Sequence, residues 1–254
     1  MRKIYILLIL TILFMVGCGD GFTGKANSSS GISGSMARFV VKGDYLYTLN
    51  KSEMNIFDVS EPSNPQDISK IHTPFNVETL YSYKDYLYMG ASDGVHIYDN
   101  SEPTQPSYLS QFTHAQSCDP VILKDDIAYV TLNSSRNCFR NITLDVNRLE
   151  ILDMRNPKKP KLIKRIEMWE PKGLAIENNR LFICDGDDGL KVFDINKSLN
   201  NDSININLKL LTKEKKIDCY DVITDNKGLV VSNKVDIQQF DSSTFPMKFL
   251  SKIK

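Results

Sequence analysis

A short apolar tripeptide ending in an aromatic ring recurs along this chain at a fixed interval. Tyr45-Leu46-Tyr47, Tyr86-Leu87-Tyr88 and Ile127-Ala128-Tyr129 stand 41 residues apart, each behind a turn signal, Lys42-Gly43-Asp44, Tyr83-Lys84-Asp85 and Lys124-Asp125-Asp126. Leu181-Phe182-Ile183 and Leu229-Val230-Val231 continue the series. A second apolar segment ending in aspartate follows each one: Ile56-Phe57-Asp58, Ile97-Tyr98-Asp99, Ile151-Leu152-Asp153, Val192-Phe193-Asp194 and, less regularly, Gln239-Phe240-Asp241. Self-similarity at this period constrains the fold more than any single motif, because each unit must bury its apolar faces against copies of itself.

The first three units then carry paired prolines, Pro62 and Pro65, Pro103 and Pro106, Pro157 and Pro160. Proline cannot donate to a strand ladder, so each pair marks a rigid turn into an outer strand. With an apolar strand ahead of each tripeptide, for instance Phe39–Val41 or Val121–Leu123, every unit reads as four short antiparallel strands. Five such units, beginning near residues 37, 74, 116, 170 and 216, predict an all-β, five-bladed β-propeller over residues 37–254 with no helix beyond the N-terminal leader.

The leader is legible separately. Arg2 and Lys3 precede an apolar run from Ile4 to Phe14, which is too short to span a bilayer as a helix and has the layout of a cleaved export signal over residues 1–17. Met15-Val16-Gly17-Cys18 resembles the lipobox of bacterial lipoproteins, which implies acylation at Cys18 and membrane attachment through the lipid; an ordinary cleaved signal is the alternative. Residues 18–36 are Gly- and Ser-rich without a periodic apolar face and read as a tether. Gly19 lacks the aspartate that retains enteric lipoproteins in the inner membrane, which favours an outer-membrane address where the cell has one.

The repeat units carry a second resemblance. Leu149-Glu150-Ile151-Leu152-Asp153, Leu190-Lys191-Val192-Phe193-Asp194 and Val95-His96-Ile97-Tyr98-Asp99, with the proline turns behind them, are similar to the LVIVD repeat of bacterial surface and periplasmic proteins. The segments around Cys118, Cys138 and Cys184 resemble a lipoprotein subset of that family. The resemblance implies an exported β-propeller and supplies no activity.

Four cysteines follow Cys18. Cys118 enters the third unit and Cys138 sits in its 13-residue extra stretch, Ser134–Val146, on what a propeller makes the same face. In an oxidising compartment a disulfide between them is expected, two free thiols being the alternative. Cys184 and Cys219, at strand ends of neighbouring units, are expected as buried free thiols, with a bridge as the lesser alternative.

Function classes narrow by exclusion. The 31 basic and 31 acidic side chains cancel, with no basic stripe for nucleic acid. No P-loop, dinucleotide fingerprint or Gly-x-Ser-x-Gly elbow is present, and the cysteines lack zinc-type spacing. Asp185-Gly186-Asp187-Asp188-Gly189 reads as a turn rather than a calcium loop, and His114 beside Cys118 and Asp119 lacks an orienting partner for catalysis. His96 reads as an outward strand position. No cofactor, metal or catalytic residue is therefore assigned.

A ligand mouth is expected where the loops entering the first strands converge on the axis: His72, Phe75, His114, Gln116, Trp169, Glu170, Lys172, Asp218 and Tyr220. Trp169, the sole tryptophan, could equally pack between blades. The leading expectation is a membrane-anchored envelope lipoprotein that binds proteins or surface components and is not an enzyme. Glycan or peptidoglycan recognition through the same mouth is the alternative, and a metal-assisted hydrolase the least favoured.

Overall fold

The computed structural model describes residues 34–254 except 51, 75, 115–119, 135–145, 201 and 225–227. The leader, Cys18, most of the tether, Phe75, Gln116 and the expected Cys118–Cys138 bridge lie outside the described residues.

The chain forms five four-stranded antiparallel sheets, each from consecutive strands. Blade one is β1 (Phe39–Lys42), β2 (Tyr45–Asn50), β3 (Glu53–Asp58) and β4 (Gln66–His72). Blade two is β5 (Val77–Tyr83), β6 (Tyr86–Ala91), β7 (Gly94–Asp99) and β8 (Ser107–Thr113). Blade three is β9 (Val121–Lys124), β10 (Ile127–Asn133), β11 (Asn147–Asp153) and β12 (Lys161–Glu167). Blade four is β13 (Pro171–Glu177), β14 (Arg180–Asp185), β15 (Leu190–Asn200) and β16 (Ser203–Glu214). Blade five is β17 (Asp221–Thr224), β18 (Leu229–Ser232), β19 (Ile237–Asp241) and β20 (Lys248–Ile253). The five-bladed propeller read from the repeat is the fold, and no blade borrows a strand from another. Among the described residues the expectation of no helix is met except for one 3-10 turn, Gly186–Asp188.

The repeat tripeptide builds the seams between blades. Successive side chains of a strand point to opposite faces, so the last ring of each tripeptide can face the following blade while its neighbour faces the preceding one. Tyr47, Tyr88, Tyr129 and Phe182 are all buried, each paired across the sheet with Ile56, Ile97, Ile151 or Val192. Apolar clusters fill the seams one/two, two/three, three/four and four/five. In blade five the corresponding pair is Val230 and Gln239, both half-buried, and Leu46 and Phe57 of blade one are half-buried as well. No apolar cluster among the described residues spans this last seam, because the fifth unit departs from the repeat at that pair.

The motif aspartate has a backbone role. The register between third and fourth strands shifts at the equivalent point of every blade, from Ile56/Phe57 to Gln239/Phe240. Directly after that bulge the aspartate accepts the N–H two residues on: Asp58 from Ser60 at 2.8 Å, Asp99 from Ser101 at 2.9 Å, Asp153 from Arg155 at 3.0 Å and Asp241 from Ser243 at 2.8 Å. These bonds turn the chain out of the sheet, and hydrogen bonds from the same residues hold all four carboxyls below their ordinary pKa. The prolines that follow also serve the seams: Pro103 carbonyl accepts the Tyr47 hydroxyl at 3.0 Å, joining blade two to blade one.

His96 corrects the sequence reading. It is buried at 3% exposure, with Nε2 2.9 Å from Asp93, because the face of blade two that it shares with Met89 is covered by blade one.

Candidate functional site

The first strands line the axis: residues of β5, β9, β13 and β17, among them Tyr81, Ile122, Leu174 and Val222, surround one cavity of about 270 Å³. Connections that enter these strands and those joining second to third strands emerge at one end of the ring. The short hairpins joining first to second strands emerge at the other.

At the first end, blades four and five build a rigid cluster from the mouth residues the sequence singles out. Asp185, fully buried at the end of β14, accepts the backbone N–H of Trp169 at 3.0 Å and of Glu170 at 2.8 Å. Its other oxygen takes the Lys191 ammonium, which also bonds Asp188 at 3.0 Å, while Lys213 lies 2.5 Å from Asp188. Bonds from Lys213 and then Lys191 push the Asp188 carboxyl down to about 2. Burial works against charge on Lys191, yet its two carboxylate partners outweigh it and raise the pKa. The stretch read as a turn forms a 3-10 turn, and its Asp185 and Asp188 carboxylates are taken up in internal ion pairs.

Held in this way, Trp169 stands 62% exposed and Tyr220 44% exposed. Lys172 bridges them in sequence and chemistry: its ammonium lies 3.4 Å from Glu170 and 5.9 Å from the centroid of the Tyr220 ring. The Lys172 carbonyl accepts the Thr131 hydroxyl at 2.6 Å, and Gly173 N–H bonds the Tyr220 carbonyl at 3.0 Å. The backbone under both rings is thus fixed to blades three, four and five. Trp169 is not a packing residue between blades.

The cysteines behind this cluster differ from expectation. Cys184 and Cys219, read as free thiols, form a disulfide with Cα atoms 5.1 Å apart. The end of a second strand and the loop entering the next blade's first strand share one face of a propeller, which brings the two side chains together. The bridge ties the residue before Asp185 to the residue before Tyr220.

His72 and His114 leave outer strands elsewhere on the ring. His72 ends β4 on the rim, highly exposed, with Nδ1 4.0 Å from Glu53. His114 follows β8, with its ring 6.5 Å from that of Phe112. Fourth strands are outermost, so residues closing them begin at the circumference and only those next to a first strand reach the axis. Asp218 is exposed beside Cys219. Among the described residues no group of three His, Cys, Asp or Glu side chains is placed to hold a metal ion.

One half-buried carboxylate was not legible. Asp221, at the start of β17, accepts the Ser35 hydroxyl at 3.3 Å and the Val222 N–H at 2.9 Å, while Ser35 Oγ accepts the Leu174 N–H at 2.8 Å. This knot joins the segment before blade one to blades four and five, beside the seam that lacks an apolar cluster. A Cβ on Gly173 would lie 2.0 Å from Asp221, so only glycine permits the approach. Burial pushes the Asp221 pKa up to about 6 against the bonds that favour its charged form. The folded state then holds a proton that the unfolded chain has released, so this group's contribution to stability falls as pH rises from about 4 to about 6, by on the order of 2–3 kcal/mol. Urea melts at the two ends of that window should show Asp221→Asn gaining on the parent as pH rises; a constant difference would remove the assignment.

The comparisons with known proteins follow the same geometry. The model of the LVIVD repeat matches residues 33–73, the first unit of the ring. No curated protein sequence matches the chain significantly. Among solved structures, a 6-phosphogluconolactonase-like protein of Bacteroides uniformis is 14% identical with a TM-score of 0.63, over 85% of this chain and 69% of that one. The periplasmic gluconolactonase of Pseudomonas aeruginosa is 13% identical with a TM-score of 0.60, over 83% and 67%. The computationally designed Ika8 protein is 13% identical with a TM-score of 0.56, over 85% and 60%. At these identities the likeness is one of fold, and the chain spans about three fifths to two thirds of the length of these structures.

Proposed function

We propose that this five-bladed β-propeller, whose first unit matches the LVIVD repeat and whose fold is a scaffold on which function resides in grafted sites, is a lipid-anchored binding module of the cell envelope that holds a protein partner at its blade-four/blade-five mouth. The observation that carries this reading is the exposure of Trp169 and Tyr220 on a backbone fixed from beneath by Asp185 and by the Cys184–Cys219 bridge. Large rings cost little side-chain entropy to immobilise and dominate interface energetics, and a neighbouring cation and carboxylate supply register. Glu170 and Lys172 fill that second role.

The proposed anchor sets the reach. Sixteen peptide steps separate Cys18 from Gly34, a reach of at most about 55 Å when fully extended, and Gly34 sits against Asp221 on the mouth side. Acylation at Cys18 would hold the domain within that distance of the membrane, with the tether joining it on the mouth side. Each acyl methylene buried contributes about 0.8 kcal/mol, so attachment needs no basic surface.

In-cell crosslinking from the full-length protein tests this. Wild type should capture a reproducible set of envelope proteins that is lost in Cys18→Ala, and Trp169→Ala or Tyr220→Ala should each weaken capture about tenfold or more, as for aromatic interface anchors. A captured set indifferent to both ring deletions would end the reading. The module binds without turnover; hydrolysis of gluconolactone above the buffer rate, prompted by the two lactonase-like folds, would replace binding with catalysis.

A further inference from the structure

A second concavity lies at the other end of the ring. It encloses about 680 Å³ beneath the first-to-second-strand hairpins of blades one to three, within the size range of small-molecule sites. We propose that this hairpin-face cavity binds a neutral saccharide unit, with the Asn100 side-chain carbonyl accepting a sugar hydroxyl and the rings of Tyr45, Tyr81 and Tyr83 forming its walls.

The hydrogen-bond arithmetic at Asn100 singles out the site. The residue lines the cavity, is only 2% exposed, and its side-chain NH₂ donates to Tyr47 Oη at 3.1 Å. The amide cannot be turned the other way round, because a tyrosine has one proton and that of Tyr47 goes to the Pro103 carbonyl at 3.0 Å. The NH₂ must therefore face Tyr47, and Asn100 Oδ1 is left buried with no partner. A buried acceptor without a donor is a net cost to the fold, a deficit that an incoming hydroxyl removes.

The class of ligand follows from the walls. Three phenol rings are in the lining, that of Tyr83 with the Lys84 ammonium 5.4 Å from its centroid, and such side chains, apolar on their faces and polar at their edges, suit a ring that is apolar on its faces and hydroxylated at its rim. The charges cancel: Lys42, Lys84 and Lys124 line the cavity with Asp44, Asp85 and Asp125. Two of those ammonium groups are also committed, Lys42 to the Lys84 carbonyl and Asp85, and Lys84 to Asp126 at 2.5 Å. A phosphate or polyanion would meet no surplus of positive charge, whereas a neutral polyhydroxyl ligand meets donors and acceptors of both kinds. This site is independent of the mouth and stands at the opposite end of every strand from Trp169.

The test uses the full chain with three neutral disaccharides, cellobiose, maltose and N,N′-diacetylchitobiose, each titrated to about 10 mM by calorimetry and saturation-transfer NMR. At least one should bind without changing Trp169 emission. Asn100→Leu and, separately, Tyr45→Ala should each weaken that binding about tenfold or more. Thermal melts check that both variants fold; if Asn100→Leu does not, Tyr45→Ala decides. No binding of any of the three would mean that the Asn100 carbonyl is served by an ordered water only, and would overturn the proposal. Binding that survives both substitutions, or that is lost in Trp169→Ala, would overturn it equally by placing the sugar elsewhere.

Discussion

Asp185→Ala is expected to lower the stability of the propeller by about 3–5 kcal/mol, the usual cost of removing one partner from a buried ion pair. The carboxylate is wholly buried and holds three donors: the Trp169 and Glu170 N–H groups and the Lys191 ammonium. Without it, two main-chain donors lose their acceptor and Lys191 keeps only Asp188. Asp185→Asn retains an acceptor for the N–H groups but not the charge opposite Lys191, and should cost less, about 1–3 kcal/mol. Urea melts followed by Trp169 emission read both effects, since the sole tryptophan is the residue that Asp185 fixes. An alanine variant within about 1 kcal/mol of the parent would show that the mouth is held by something else.

Opening the Cys184–Cys219 bridge is the second large effect. Its cysteines are 35 residues apart and both are buried. Loop-closure entropy for a ring of that size is worth about 4 kcal/mol at 25 °C. The Cys184→Ala/Cys219→Ala double variant should unfold at correspondingly lower urea, and reductant should shift the parent's midpoint but not the variant's. A parent midpoint unmoved by complete reduction would refute the bridge as a stabilising element. Because the bridge joins the neighbours of Asp185 and Tyr220, the same change should weaken capture of the mouth's partner alongside stability.

The two effects show why parts of this molecule could be read in advance and parts could not. The 41-residue recurrence of Tyr47, Tyr88 and Tyr129 demanded blades, and the paired prolines fixed where each sheet turns outward. Trp169, Glu170, Lys172 and Tyr220 could be placed at the mouth because they sit within a few residues of a first strand, so topology alone locates them. His72 and His114 lie apart from these four for the converse reason: His72 ends β4 and His114 follows β8, both outer strands, and sequence distance to the next first strand does not measure distance from the axis. The Cys184–Cys219 bridge joins two blades through a spacing that matches no disulfide pattern, and only their packing side by side sets 5.1 Å between the Cα atoms. Asp185 looked like one more acidic turn residue because nothing local distinguishes a carboxylate that faces solvent from one that faces three donors.

What the chain determines by itself is periodic: strand alternation, turn chemistry and a repeat length fix the fold class and the number of blades, since each is a short-range property of the backbone. What tertiary structure decided is every property that depends on two blades meeting. The disulfide, the burial of Asp185, the desolvation of the Asp221 carboxyl, the orphaned carbonyl of Asn100 and the seam that Val230 and Gln239 leave without an apolar cluster all belong to that class. Desolvation and partner geometry are set by atoms tens of residues away, and a linear pattern carries no record of them until the ring has formed.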